Sequence, residues 1–251
     1  MTNKAMIFAA GEGKRMQPLT LHTPKPLLKV AGKPLIFWHL ENLAAQGIKQ
    51  VVINVSYLGQ QIIDAVQEGS AWGLEVSYSV ENTPLETGGG LLKAKELLGE
   101  EPFLLINGDL WISELPHLPP ATQDELLFML LVDNPEHNPQ GDFFFAEDSG
   151  SLANQPRAGM QSKTFAGVSR INPALLDESW LYAAYQHQHQ VGDAFILSPL
   201  LRLMIDEQKA NAAVLTSHWV DVGTPERLTE LNARLAKKII EQTEKTRLAR
   251  E

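Results

Sequence analysis

The sequence predicts an α/β fold, a mainly parallel, doubly wound sheet with a smaller, partly antiparallel lobe. Three observations carry that expectation. Through the first 110 residues, short apolar runs alternate with stretches of helical spacing, the pattern of βαβ units closed by right-handed crossovers. Between 133 and 163 that rhythm is lost among scattered Pro, Gly and Asn, which reads as an insertion beside the main sheet. With 251 residues, 44% apolar and 20% charged, the chain is long enough to bury a substantial core.

Taken in order, residues 5–9 are apolar and β-prone and form a first buried strand, followed by a Gly-rich loop. Ile36, Leu40, Leu43 and Ala44 recur at helical spacing over 35–46, and Gly47 suits the stop. A strand at 51–54 and a helix at 58–68 follow, then an alternating strand at 75–79, a helix at 90–98 and a buried strand at Phe103–Asn107. Further strands are expected at 126–132 and 164–171, a helix at 199–207, and the end of a short strand at 220–221. Thr224 is placed to cap a last helix, with Pro225 at its first position and Glu226 in its first turn. Leu228, Leu231, Leu235 and Ile239 form its apolar stripe, and the charged tail beyond Thr243 is expected to fray.

Composition excludes several classes. There are no cysteines, hence no disulfide, zinc–thiolate site or cysteine nucleophile. The net charge of −9 opposes a nucleic-acid or anionic-membrane surface. The first apolar run is too short for a signal or a membrane span, so cytoplasmic residence is the expectation. Charge is segregated. Residues 1–35 hold six basic side chains against Glu12 alone, and residues 75–150 hold fifteen acids against Lys93 and Lys95. A phosphate cradle near the N-terminus, faced by metal-binding carboxylates from later in the chain, accounts for that split.

The cradle is the loop Ala9-Ala10-Gly11-Glu12-Gly13-Lys14-Arg15-Met16-Gln17-Pro18-Leu19-Thr20, directly after the first strand. Two glycines two apart let the backbone turn and aim N–H groups at an anion, and Lys14 and Arg15 follow where they can neutralise a triphosphate. As a dinucleotide fingerprint the loop fails, because Met16 stands where a third glycine is needed; it also lacks the G-K-[ST] ending of a P-loop. Downstream, prolines flank Lys25 in Thr23-Pro24-Lys25-Pro26-Leu27-Leu28, which predicts an extended segment with a placed ammonium.

These two motifs in this order resemble the signature of the sugar-nucleotide pyrophosphorylases, nucleotidyltransferases of a Rossmann-like, glycosyltransferase-A-like fold. The resemblance extends to Asn107-Gly108-Asp109, Phe165-Ala166-Gly167 and Trp219-Val220-Asp221-Val222-Gly223-Thr224, and so covers the chain. It implies one domain over 1–251, with a nucleotide-binding part at about 1–110 and a sugar-binding lobe and helices at about 111–251. It implies a nucleotide site at Ala10, Gly11, Glu12, Gly13, Thr23 and Lys25. Arg15 and Lys25 are thereby assigned to the triphosphate and the sugar phosphate.

Asp109 ends a strand and Asp221 follows an apolar run before a glycine turn, the strand-end position where open sheets bind ligands. Facing a basic loop, the two look like Mg²⁺ ligands, since magnesium takes one or two carboxylates and leaves the rest to phosphate and water. The expected catalytic set is therefore Arg15, Lys25, Asp109 and Asp221, with Mg²⁺ as cofactor and a nucleoside triphosphate and a sugar 1-phosphate as partners. Oligomeric state is not legible.

Pro84-Leu85-Glu86-Thr87-Gly88-Gly89-Gly90 precedes a helix, and the resemblance places the base there, against Thr87 and Gly88. It also places Asn107, Asp142 and Gly167 against the sugar. The Glu-Lys pair by which many hexose-1-phosphate members hold their sugar has no counterpart between Phe143 and Phe165. The strings Leu131-Val132-Asp133-Asn134-Pro135-Glu136-His137, Gly141-Asp142-Phe143 and His218-Trp219-Val220-Asp221, with Leu85-Glu86-Thr87-Gly88-Gly89-Gly90 and Asn107-Gly108-Asp109-Leu110-Trp111, instead resemble members that join UTP to N-acetylmuramate 1-phosphate, a step of peptidoglycan recycling. Glucose 1-phosphate with dTTP and mannose 1-phosphate with GTP stay open as alternatives, as does a sugar-nucleotide-binding regulator without turnover. Basic residues are scarce over 75–150, so the donor to a lactyl acid is expected to be a backbone N–H, a side-chain amide or a water rather than an Arg fork. His187 and His189, two apart in a polar run, are expected to be solvated.

Overall fold

A computed structural model describes the backbone of residues 2–248 and the side chains of residues 2–241. The chain begins with β1 (Lys4–Phe8), the hairpin β2 (Lys29–Val30) and β3 (Lys33–Pro34), and α1 (Leu35–Ala45). It continues through β4 (Gln50–Val55), α2 (Gly59–Val66), β5 (Glu75–Val80), α3 (Glu86–Leu98) and β6 (Phe103–Asn107). β7 (Leu110–Ile112), β8 (Leu127–Val132), β9 (Phe143–Ala146), β10 (Ser151–Ala153) and β11 (Gln161–Ile171) follow. Then come α4 (Glu178–Tyr185), α5 (Ser198–Asp206), β12 (Ala210–Val214), β13 (Trp219–Asp221) and α6 (Pro225–Leu248).

The main sheet runs β5-β4-β1-β6-β11-β8-β12-β10-β9. Its first four strands are parallel, in register Ala5↔Val51, Ala5↔Leu104 and Val51↔Val76. The order reverses at β1, and β1 ends at the switch point where such sheets bind ligands. Alternate residues of β1 enter different cores. Ala5 and Ile7 pack with Ile36, Leu40 and Ile62 from α1 and α2, while Met6 packs with Leu91, Leu200 and Met204 from α3 and α5. That two-sided burial is what the doubly wound reading expects.

Beyond β6 the sheet becomes mixed, and the expected lobe is its continuation. β11 is the hinge of this arrangement. Its last residues pair antiparallel with β6 and β8, and its first with β9. The register shifts between Phe165 and Ser169, where Gly167 adopts φ +74°. A left-handed residue bends the strand enough to serve both halves.

Four expectations needed correction. Lys25 does not lie in an extended segment: Pro24 and Leu28 on either side are extended, and Lys25–Leu27 form a 3-10 turn closed by the Leu28 amide on the Lys25 carbonyl at 3.0 Å. The helix expected from 90 starts at Glu86, so the three glycines lie inside it. The stripe of α6 buries Leu228 and Leu231 against Met16, Val30 and Trp111, but Ile239 is 55% exposed because the helix has run past that core. The backbone stays helical to Leu248, beyond the point where fraying was expected; residues 249–251 lie outside the described residues. Within the described residues no helix is long and apolar enough to cross a membrane.

Candidate active site

A cleft of about 600 Å³ opens at the ends of β1 and β6, lined by the loop from Ala9 to Met16, by Lys25, by Pro84, Glu86 and Thr87, and by Asn107, Asp109 and Gly223. The loop is held from below. Gly13 takes φ +64°, and a Cβ there would press on Thr20 and Lys25, at 3.0 and 3.3 Å. The Thr20 hydroxyl donates to the Gly13 carbonyl at 2.9 Å. Lys14 pairs with Glu12 at 3.0 Å, which leaves Arg15 as the exposed loop cation without a salt bridge among the described residues.

Opposite the loop stands Asp109; Asp221 is held next to it but is not itself among the residues that line the cleft. Asp109 follows β6 and faces Lys25, whose Nζ donates to its Oδ2 at 2.8 Å. The antiparallel pair β7–β13 sets Asp221 beside Leu110, and the Val222 amide donates to the Asp109 carbonyl at 2.8 Å. Residues 112 positions apart in sequence thus share one end of a two-stranded ladder. Asp221 Oδ2 accepts from Arg227 Nη1 at 2.7 Å and lies 3.5 Å from His137 Nε2. Its Oδ1 is buried with no hydrogen-bond partner. Beneath Asp109 lies His39, fully enclosed; burial pulls its imidazole down to about 4, against the opposing pull of the Asp109 carboxylate. Two carboxylates, one with an orphaned oxygen, fit a divalent cation whose other positions are filled by substrate oxygens and water. No cluster of three or more such ligands exists among the described residues.

Sequence reasoning missed a buried polar network behind the loop. The Ala9 amide donates to Asn54 Oδ1 at 2.8 Å, Asn54 Nδ2 donates to Glu81 Oε1 at 2.7 Å, and Glu81 Oε2 accepts from the Leu85 amide at 2.8 Å. Asn54 and Glu81 are 3% exposed, and both line the cleft. The chain of bonds ties the phosphate loop to the segment that enters α3. A signal existed: each is a polar residue at or just past the C-terminal end of a parallel strand.

The other expected residues divide. Ala10, Gly11, Glu12, Gly13, Thr87 and Asn107 line the cleft, and Gly167 touches Asn107, with a Cβ there 2.8 Å from its Nδ2. Thr23 does not line it. Gly88 is withdrawn from it: its amide donates to the Phe195 carbonyl at 2.8 Å and a Cβ would strike the Phe195 ring. Gly88 and Gly89 admit the 193–197 segment, a Cβ on Gly89 falling 2.0 Å from the Asp193 carbonyl oxygen, and Gly90 makes room for Glu81 and Asn54. Asp142 uses both oxygens internally, accepting from Asn138 Nδ2 and from the Phe165 amide. His189 is not solvated as expected: its side chain is 7% exposed and stacks on Phe195 at 3.9 Å between centroids.

Comparison with known proteins places this geometry. Residues 4–125 match the nucleotidyl transferase family. The chain is 41% identical, over 92% of its length and 97% of the relative's, to N-acetylmuramate alpha-1-phosphate uridylyltransferase of Neisseria meningitidis serogroup B. It is 31% identical to the mannose-1-phosphate guanylyltransferase catalytic subunit beta of Drosophila pseudoobscura pseudoobscura, over 88% of this chain but 59% of that protein. The crystal structure of HddC from Yersinia pseudotuberculosis complexed with GMP-PN shares the fold, with a TM-score of 0.67 at 22% identity over 93% of this chain and all of that one. By these relationships the chain belongs to the nucleotidyltransferase family of sugar-nucleotide pyrophosphorylases.

Proposed function

We propose that the protein joins UTP to N-acetylmuramate 1-phosphate, releasing pyrophosphate and UDP-N-acetylmuramate, in the cytoplasm where UTP is made. One observation carries the choice of substrates: the 41% identity to the uridylyltransferase runs through 97% of that protein, whereas the guanylyltransferase match stops at 59%. The cleft supports the chemistry. A sugar phosphate is ionised at neutral pH, so its oxygen attacks the α-phosphorus of the triphosphate without a protein nucleophile, and pyrophosphate leaves on the opposite side. What the protein supplies is placement and positive charge.

The phosphate loop and Arg15 receive the triphosphate, and Lys25 stands between the loop and the aspartates, where negative charge grows on the transferring phosphoryl group. Asp109 and Asp221 would hold Mg²⁺, which, when bound, neutralises phosphate oxygens and helps align them. Thr87 borders the base and Asn107 the sugar. Pyrophosphate release measured for five sugar 1-phosphates against four nucleoside triphosphates tests the reading. UTP with N-acetylmuramate 1-phosphate is expected to give the highest kcat/KM; a tenfold lead for mannose 1-phosphate with GTP, or glucose 1-phosphate with dTTP, overturns it.

A further inference from the structure

The cations in and next to the cleft fall into two groups, those that line it and one behind its wall. Lys14, Arg15 and Lys25 belong to the phosphate side. Arg227 stands apart, in the first turn of α6, with its amide capped by the Thr224 hydroxyl at 3.4 Å. Its Nη1 donates to Asp221 Oδ2 at 2.7 Å and meets His137 Nε2 at 2.9 Å, which ties α6 to the loop between β8 and β9. The guanidinium lies directly behind Gly223, a residue of the cleft wall; a Cβ there would fall 2.3 Å from Nη2. The side chain is 17% exposed, and Nε and Nη2 make no hydrogen bond among the described residues. Asp221 and His137 thus occupy Nη1, while Nε and Nη2, the latter packed against Gly223, keep unused donors among the described residues. The Nε–Nη2 edge is the planar fork that matches both oxygens of a carboxylate.

We propose that Arg227 is the specificity-determining residue that reads the carboxylate of the lactyl ether on the sugar, through its Nε–Nη2 edge. The inference rests on the muramate reading of the function. That substrate carries two anionic groups, a phosphate at C1 and a carboxylic acid at C3, and besides the cations that line the cleft one further guanidinium lies behind its wall at Gly223. Asp221 and His137 fix the guanidinium from behind. Gly223 has no side chain to displace Nη2.

Isothermal titration calorimetry with UDP-N-acetylmuramate and UDP-N-acetylglucosamine, which differ only in the lactyl ether, tests the proposal. The wild-type protein is expected to bind the muramate nucleotide more tightly, and Arg227→Ala to reduce that preference by roughly tenfold or more. Arg227→Lys, which keeps the charge but not the fork, is expected to fall between the two. Equal losses for both nucleotides in both variants overturn the proposal and leave Arg227 as a support for Asp221. A wild-type protein that binds the two alike also overturns it. If the substrate matrix still favours N-acetylmuramate 1-phosphate in that case, the muramate reading survives and only the role of Arg227 is lost.

Discussion

Lys25 and Asp109, 84 residues apart, meet at 2.8 Å across the cleft, where an ammonium from the phosphate-loop side faces a carboxylate from the end of β6. On the proposed function the pair sits where the reacting phosphates converge, so its two members are expected to act on the transition state more than on binding. Lys25→Ala is expected to lower kcat by about 10²–10³-fold as well as raising KM. Steady-state pyrophosphate release checks this, and a change confined to KM would reduce Lys25 to a uniform binding group.

On the proposed function, turnover depends on a metal ion held by the two carboxylates. Chelation is expected to abolish turnover, and Asp109→Asn and Asp221→Asn each to cost on the order of 10³-fold in kcat/KM. Water-proton relaxation with Mn²⁺ gives an activity-independent check: both variants should weaken Mn²⁺ binding. Near-normal activity of either at saturating Mg²⁺ removes that residue from the metal site.

Gly89 lies inside α3, where intrinsic propensity makes Ala the better residue by about 1 kcal/mol. The tertiary structure reverses the sign, because the added Cβ falls 2.0 Å from the backbone oxygen of Asp193, which cannot rotate away. Gly89→Ala is expected to destabilise by about 1–3 kcal/mol in urea unfolding. A stabilised variant would show that the 193–197 segment does not press on the helix as described.

His39 gives the protein an acid-sensitive element. Its pKa falls from 6.5 in the ordinary case to about 4 on burial, so the unfolded chain binds the proton more readily. The stability it contributes is therefore complete above about pH 6.5 and is lost as pH falls toward 4, by roughly 3 kcal/mol. Comparing the unfolding free energy of metal-free wild type and His39→Gln between pH 4 and 7 isolates the effect. The difference between the two should shrink with acid, and a pH-independent difference would refute it.

The sequence by itself determined the parallel half of the sheet and the loop on β1. Those signals are local: apolar runs of strand length, helical spacing after each, and glycines and lysines in a fixed order behind a strand. It also singled out Lys25 from its proline-flanked motif, and Asp109 and Asp221 from strand ends, which are legible one at a time. β12 was missed since Ala210–Val214 is poor in β-branched residues and becomes a strand by lying beside β8. Only the tertiary structure decided which residues share the site. The Asn54–Glu81 link, the closure of α3 on residues 193–197, and the meeting of Arg227 with Asp221 and His137 join positions up to 110 residues apart. Hydrogen bonds and sterics at that range depend on how the sheet folds back on itself, and no spacing along the chain encodes them.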